Sequence, residues 1–191
     1  LAENASATTV SNYSFRYSSS YGWWESSGYA ASSINNSVVS GDFNGDGKTE
    51  VATFYDYGNN TTKIHVWTSN GNSFNYSGNS GWWTSYGYNA KCIKGRIVSG
   101  DFNGDGLCDI AAFYDYGNYL TKLHVWLSTG TSFKFASNYG WWSSSKGEYN
   151  PAMITDRVVS GDFNGDGLCD IAAFYEYGAT STRIHVFESK G

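Results

Sequence analysis

Ser40-Gly41-Asp42-Phe43-Asn44-Gly45-Asp46-Gly47 is the stretch that decides how this chain is read. The same eight residues return from Ser99 and again from Ser160. Each copy places side-chain oxygens at alternate positions of a tight loop, the arrangement that a hard cation takes. Gly47, Gly106 and Gly167 allow the sharp turn that a ring of ligands needs. An acidic residue follows each copy, at Glu50, Asp109 and Asp170. The first candidate ligand set is therefore Asp42, Asn44, Asp46, Lys48 through its carbonyl, and Glu50. The second is Asp101, Asn103, Asp105, Leu107 and Asp109, and the third is Asp162, Asn164, Asp166, Leu168 and Asp170. Calcium, three ions per chain, is the expected cofactor.

Two alternatives compete with that reading. An EF-hand needs a bidentate Glu at loop position twelve and a helix after it. Position twelve is Thr53, Ala112 or Ala173, and strand-forming runs such as Ile110-Ala-Ala-Phe-Tyr114 follow the loops. A metal-free Asx-rich turn is the other alternative. Nine of the seventeen acidic residues crowd into these three loops, and carboxylates so close repel one another without a cation.

Working outward, a Trp-Trp pair begins at Trp23, Trp82 and Trp141, and a His-Val pair at His65, His124 and His185. The repeats fall at about 38–83, 97–142 and 158–187 of a single domain spanning 1–191. Each repeat reads as four strands, over 38–43, 51–57, 63–68 and 74–76, the last continuing toward Trp82. Asn70-Gly71 makes a turn between the last two. Four antiparallel strands per repeat is the pattern of a β-propeller blade, so the fold class is all-β.

Pairing strands two and three with Asp56 opposite Lys63 sets Phe54 against His65 and Ala52 against Trp67. The same register joins Asp115 to Lys122 and Glu176 to Arg183, so an ion pair is expected in each hairpin. Each mid-strand histidine is expected to be packed and satisfied. Residues 13–24 match a fourth strand and 183–187 match a third. The chain thus begins with strand four and ends with strand three. Three blades cannot easily fill a circle, and propellers have about four to eight. A homodimer of six blades, closed by strand exchange, is expected.

With its calcium loop followed by Ile-Ala-Ala-Phe-Tyr, the chain resembles the FG-GAP/VCBS repeat family, from about Tyr13 to Phe187. Such propellers, of the integrin-α type, carry calcium loops between the first two strands of a blade. The Phe-Gly and Gly-Ala-Pro elements of the integrin repeats are absent, which draws the chain toward bacterial-type and lectin-like members. The resemblance implies a secreted binding or adhesion module with structural calcium.

The leading expectation for function is a carbohydrate-binding lectin with one site per blade, its partner a glycan or cell-surface ligand. The alternative is adhesion to another protein through a propeller face. Adjacent residues of an extended chain point to opposite sides. One Trp of each pair is therefore free either to stack on a sugar or to pack between blades. The candidate sugar contacts are Trp24, Trp83 and Trp142, with Tyr29, Tyr88 and Tyr149 beside them. No asymmetric set of acid, base and nucleophile marks an enzyme. No basic stripe suits nucleic acid, and no apolar run is long enough to span a membrane. Three cysteines, Cys92, Cys108 and Cys169, leave the redox compartment open. A Cys92–Cys108 bridge is compatible with the spacing.

Overall fold

The computed structural model describes Phe15, Tyr17 and residues 22–34, 36–137 and 139–191. The fourth strand expected at 13–24 lies largely outside these. The described residues form three antiparallel sheets joined by short loops and three 3-10 turns, at Ala31–Ser33, Ala90–Ile93 and Pro151–Ile154. The first sheet contains β1 (Val38–Gly41), β2 (Glu50–Asp56), β3 (Thr62–Ser69), β4 (Phe74–Tyr76) and β5 (Trp83–Ser85). The second contains β6 (Ile97–Gly100), β7 (Asp109–Asp115), β8 (Thr121–Ser128), β9 (Phe133–Phe135) and β10 (Trp142–Ser143). The third is β11 (Val158–Gly161), β12 (Asp170–Gly178) and β13 (Ser181–Phe187), with no fourth strand among the described residues. No helix among these residues is long and apolar enough to cross a membrane.

The fourth strand is one line broken in two. β4 pairs with the end of β3 and β5 with its beginning. Between them the chain bulges outward and is pinned back by the Trp82 N–H on the Ile64 carbonyl at 2.8 Å. A side chain at Gly81 would put its Cβ 2.5 Å from that same carbonyl oxygen, and φ there is +65°. Only glycine meets both demands without strain.

The central hairpin is one residue out of the register read from charge. Asp56 faces Thr62, Tyr55 faces Lys63, Thr53 faces His65 and Val51 faces Trp67, and the second sheet repeats this with Asp115 against Thr121. The cause is an odd turn: Tyr57 N–H bonds the Thr61 carbonyl at 2.9 Å, enclosing only three residues. Asn59 and Asn60 take left-handed φ values of 50° and 57° there, which Asn tolerates better than most residues. A slip of one residue exchanges the two faces of a strand, so the expected ion pairs do not form. Asp56 and Asp115 instead cap the turns through Gly58 N–H and Gly117 N–H. Glu176 pairs with Arg157 at 2.7 Å. Lys63, Lys122 and Arg183 lie over the rings of Tyr57, Tyr116 and Tyr177.

Each sheet is apolar on both sides, because successive strand residues point to opposite faces. Val39, Ala52, Phe54, Ile64 and Val66 of the first sheet are buried against Ile110, Ala112 and Trp126 of the second. Val98, Ala111, Phe113, Leu123 and Val125 of the second meet Ile171, Ala173 and Phe187 of the third. The core is therefore two stacked layers between three sheets. Truncating Phe113 to Ala removes a fully buried ring and should lower stability by about 3–5 kcal/mol in chemical denaturation. Gly81→Ala should cost about 2 kcal/mol through backbone strain alone, without changing the secondary structure seen by circular dichroism.

Candidate functional site

Each acidic loop joins the first two strands of its sheet. Asp42 accepts from Gly45 N–H at 2.7 Å and from Gly47 N–H at 2.9 Å, and Asn44 accepts from Asp46 N–H at 2.9 Å. Asp101 and Asp162 repeat the pattern on Gly104 and Gly106, and on Gly165 and Gly167. The ninth loop residue behaves differently. Glu50, Asp109 and Asp170 are fully buried, and each spans two backbone N–H groups. Glu50 accepts from Phe43 and Ser69, Asp109 from Phe102 and Ser128, and Asp170 from Phe163 and Ser189. This carboxylate ties the loop to the end of the third strand. Burial raises the pKa of Glu50 and pushes Asp109 up to about 7. The N–H of Lys48 holds exposed Asp46 below the ordinary range, and that of Leu168 does the same for Asp166.

The donor types suit a hard cation, and an ionised carboxylate offers about four lone-pair sites, of which Asp42 uses three. The positions do not yet form a chelate. Among the described residues no three acidic, histidine or cysteine side chains converge on one point. The oxygens rest on loop N–H groups instead, so a cation would require the acceptors to regroup. Lys48, Leu107 and Leu168 occupy the carbonyl-donor position, and the Leu side chains have a second task. Leu107 packs on Gly45 of the preceding loop and Leu168 on Gly104.

The aromatic candidates form a second constellation. Trp83 contacts Tyr88, Trp126 and Phe135 at ring-centroid distances of 5.4, 5.6 and 5.8 Å. Trp24 meets Tyr29, Trp67 and Tyr76 in the same way, and Trp142 meets Tyr149 and Phe187. Tyr88 and Tyr149 are buried, while the three Trp and Tyr29 are half-buried. These six residues thus pack around the third strand of each sheet, which is the packing alternative for the second Trp. The first Trp of the last pair, Trp141, is the more open, at 38 % exposure.

Each histidine is packed and hydrogen-bonded, as its mid-strand position predicts. His65 lies between the Tyr29 hydroxyl at Nδ1 (2.9 Å) and the Tyr57 hydroxyl at Nε2 (3.2 Å). His124 lies between Tyr88 and Tyr116, and His185 between Tyr149 and Tyr177. Tyr57, Tyr116 and Tyr177 are exposed and were not among the sequence candidates. Their signal was available: a tyrosine stands eight residues before each histidine.

The FG-GAP repeat family matches residues 35–67, and the FG-GAP-like repeat family matches residues 101–173. Both spans include an acidic loop and the hairpin after it. The chain belongs to the FG-GAP repeat family. A search of curated proteins found no match. The three antiparallel sheets are consistent with the β-propeller-like blades of FG-GAP repeats. The thiols of Cys92, Cys108 and Cys169 are all free, so the Cys92–Cys108 bridge is not formed. Cys108 and Cys169 fill another role, seated against Gly41 and Gly100 of the preceding blade, where a Cβ would lie 2.6 and 2.7 Å from the cysteine Cβ.

Burial, with a smaller contribution from Lys63 and Lys122, lowers the pKa of His65 and His124 from 6.5 to about 4. The unfolded chain takes up these protons below about pH 6.5 and the folded chain does not. Their contribution to stability is therefore complete above pH 6.5 and is lost as pH falls toward 4. Each histidine should add a slope of about 1.4 kcal/mol per pH unit within that window. Asp109, pushed up to about 7, contributes with the opposite sign over the same range, so the histidine effect is read as a difference: between pH 6.5 and 5, chemical denaturation of a His65→Asn/His124→Asn variant should show stability that falls less on acidification than that of the parent.

Proposed function

We propose that this FG-GAP repeat protein is a secreted, calcium-stabilised binding module for carbohydrate, with one contact site per blade. The blades belong, in this reading, to a six-bladed ring made by two chains. The observation that carries the ligand assignment is the threefold recurrence of Tyr57, Tyr116 and Tyr177. Their exposures are 43, 42 and 50 %. Each hydroxyl is held by a histidine, and each ring has a cationic group 4.7–5.0 Å from its centroid. A ring fixed at both its polar end and one face loses little freedom when a flat apolar sugar face stacks on the other. The Tyr29, Tyr88 and Tyr149 hydroxyls hold the opposite nitrogen of each histidine, so they support the exposed tyrosines from within. Binding, not catalysis, suits a site that recurs three times with the same residues.

Blade topology separates the two chemistries. The acidic loops lie at one end of each blade and the Tyr57-type residues at the other, beside the turn between the second and third strands. Calcium at the loops would regroup Asp42, Asn44 and Asp46 around one cation and fix the blade ends, with Glu50 already anchored. Sites of extracellular modules are filled at about 10⁻⁴–10⁻³ M calcium, which is the ground for a secreted location.

Two measurements test this reading. Calcium at a hundredfold excess over Kd should stabilise the fold by about 2.7 kcal/mol per site, so chelation should lower the melting temperature; an unchanged value in metal-free protein excludes calcium at these loops. On a glycan array the protein should bind, and a Tyr57→Ala/Tyr116→Ala/Tyr177→Ala variant should lose binding while keeping its circular dichroism. Binding that survives the triple substitution removes these tyrosines from the site, and an array with no signal refutes a carbohydrate ligand.

A further inference from the structure

A set of four hydrogen bonds between neighbouring blades recurs at both junctions. Gly95 N–H donates to the Asn36 carbonyl, the Ser99 hydroxyl to Ser40, Cys108 N–H to Asp42 and the Ser128 hydroxyl to Phe43. At the next junction Asp156 N–H donates to Gly95, the Ser160 hydroxyl to Ser99, Cys169 N–H to Asp101 and the Ser189 hydroxyl to Phe102. Within this set the later blade donates and the earlier one accepts, and Phe133 N–H adds a bond of the same direction to the Trp82 carbonyl at the first junction. The described structure therefore ends in two complementary sets. The N–H groups of Asn36 and Thr49 and the hydroxyls of Ser40 and Ser69 have no acceptor among the described residues. The carbonyls of Asp156, Ser160, Asp162 and Phe163 receive no such bond among the described residues.

Packing tells the same story. Val159, Phe163, Phe174, Ile184 and Val186 are 44–56 % exposed, whereas their counterparts in the first two blades are buried. Gly161 lacks the cysteine that seats on Gly41 and Gly100, and Thr49 stands at the cysteine's position in the first blade. Lys48 stands where Leu107 and Leu168 pack on the previous loop, and its aliphatic stem can take that place.

A groove of about 910 Å³ lies along the third blade, lined by Trp142, Tyr149, His185, Phe187 and Ser189 among others. It occupies the place that Tyr76 and Phe135 fill on the first two blades, where they contact His65 and Trp67, and His124 and Trp126. The sequence holds one unused strand of that type. Phe15-Arg16-Tyr17 precedes Gly22-Trp23-Trp24 at the spacing by which Phe74-Asn75-Tyr76 precedes Gly81-Trp82-Trp83. Phe15 and Tyr17 are fully and four-fifths exposed, 108 and 80 %.

We propose that Phe15–Tyr17 of a second copy fills this groove as the fourth strand of the third blade, and that the first blade of that copy docks on the exposed face. This rests on the two-chain ring proposed above and supplies its mechanism. The register of Trp67 with Tyr76 and Ser69 with Phe74 carries over as Phe187 with Tyr17 and Ser189 with Phe15. Arg16 then falls opposite Glu188, a charge pair with no counterpart in the other blades, where Thr68 faces Asn75 and Leu127 faces Lys134. Glu188 is 2.9 Å from Lys190 within the chain and exposed enough to take a second cation. Donors on one end and acceptors on the other make the contact head-to-tail, which closes when the rotation per blade completes a circle. The second copy returns both the strand and the face, so every blade is completed.

Sedimentation equilibrium at micromolar concentration should give twice the 21.0 kDa of one chain. Arg16→Glu and Glu188→Arg should each weaken the dimer at least tenfold, because like charges then face each other at both junctions. The double variant should restore the affinity to within about threefold of the parent. A dimer indifferent to both single substitutions overturns the strand exchange and leaves the two-chain ring standing. A stable monomer, or a ladder of larger species, overturns both.

Discussion

Every blade of this protein is apolar on two sides, and that constraint governs the rest of the structure. A sheet that faces water on one side needs a single partner. A sheet with Phe54 on one face and Trp67 on the other needs two. The chain meets this demand by stacking, and the stacking is held by contacts that tolerate almost no added bulk. Cys108 and Cys169 sit where a Cβ on the opposing glycine would overlap them. The four recurring hydrogen bonds beside them run in one direction. Spacing and polarity between blades are therefore fixed together.

The aromatic residues serve this stacking before anything else. Trp83, Tyr88, Trp126 and Phe135 form one cluster at the first junction, with edge-to-face contacts that add to simple burial. The neutral histidine inside each cluster is positioned by two tyrosine hydroxyls. One of these tyrosines is internal and the other reaches the surface. A buried hydrogen-bond chain thus orients an exposed ring, which links the interior of each blade to the face assigned to ligand.

The acidic loops share in the same mechanics. Their ninth residue is an internal tie between the loop and the third strand, while their first, third and fifth residues hold the loop closed at the surface. Leu107 and Leu168 rest on glycines of the preceding loop. The conformation of one loop is therefore felt by the next, and an ion bound at one would act on the spacing of two blades.

Much of this was legible in the residues. The threefold match of eight residues from Ser40, Ser99 and Ser160 sets three all-β units, and alternation of apolar residues places Phe54, Phe113 and Phe174 on one face. The FG-GAP character follows from the loop and the strand after it. The spacing of eight between Tyr57 and His65 was equally visible, though nothing local says that the two side chains meet. What the sequence alone does not determine is the register of the central hairpin, where opposite charges at Asp56 and Lys63 point one way and the three-residue turn imposes another. Turn geometry wins because backbone hydrogen bonds and buried faces outweigh an exposed ion pair of at most about 1 kcal/mol. Nor does it determine which aromatic rings reach solvent. Burial of Tyr88 and exposure of Tyr116 depend on the neighbouring blade, a surface assembled from residues distant in sequence, and only the tertiary structure brings that surface into place.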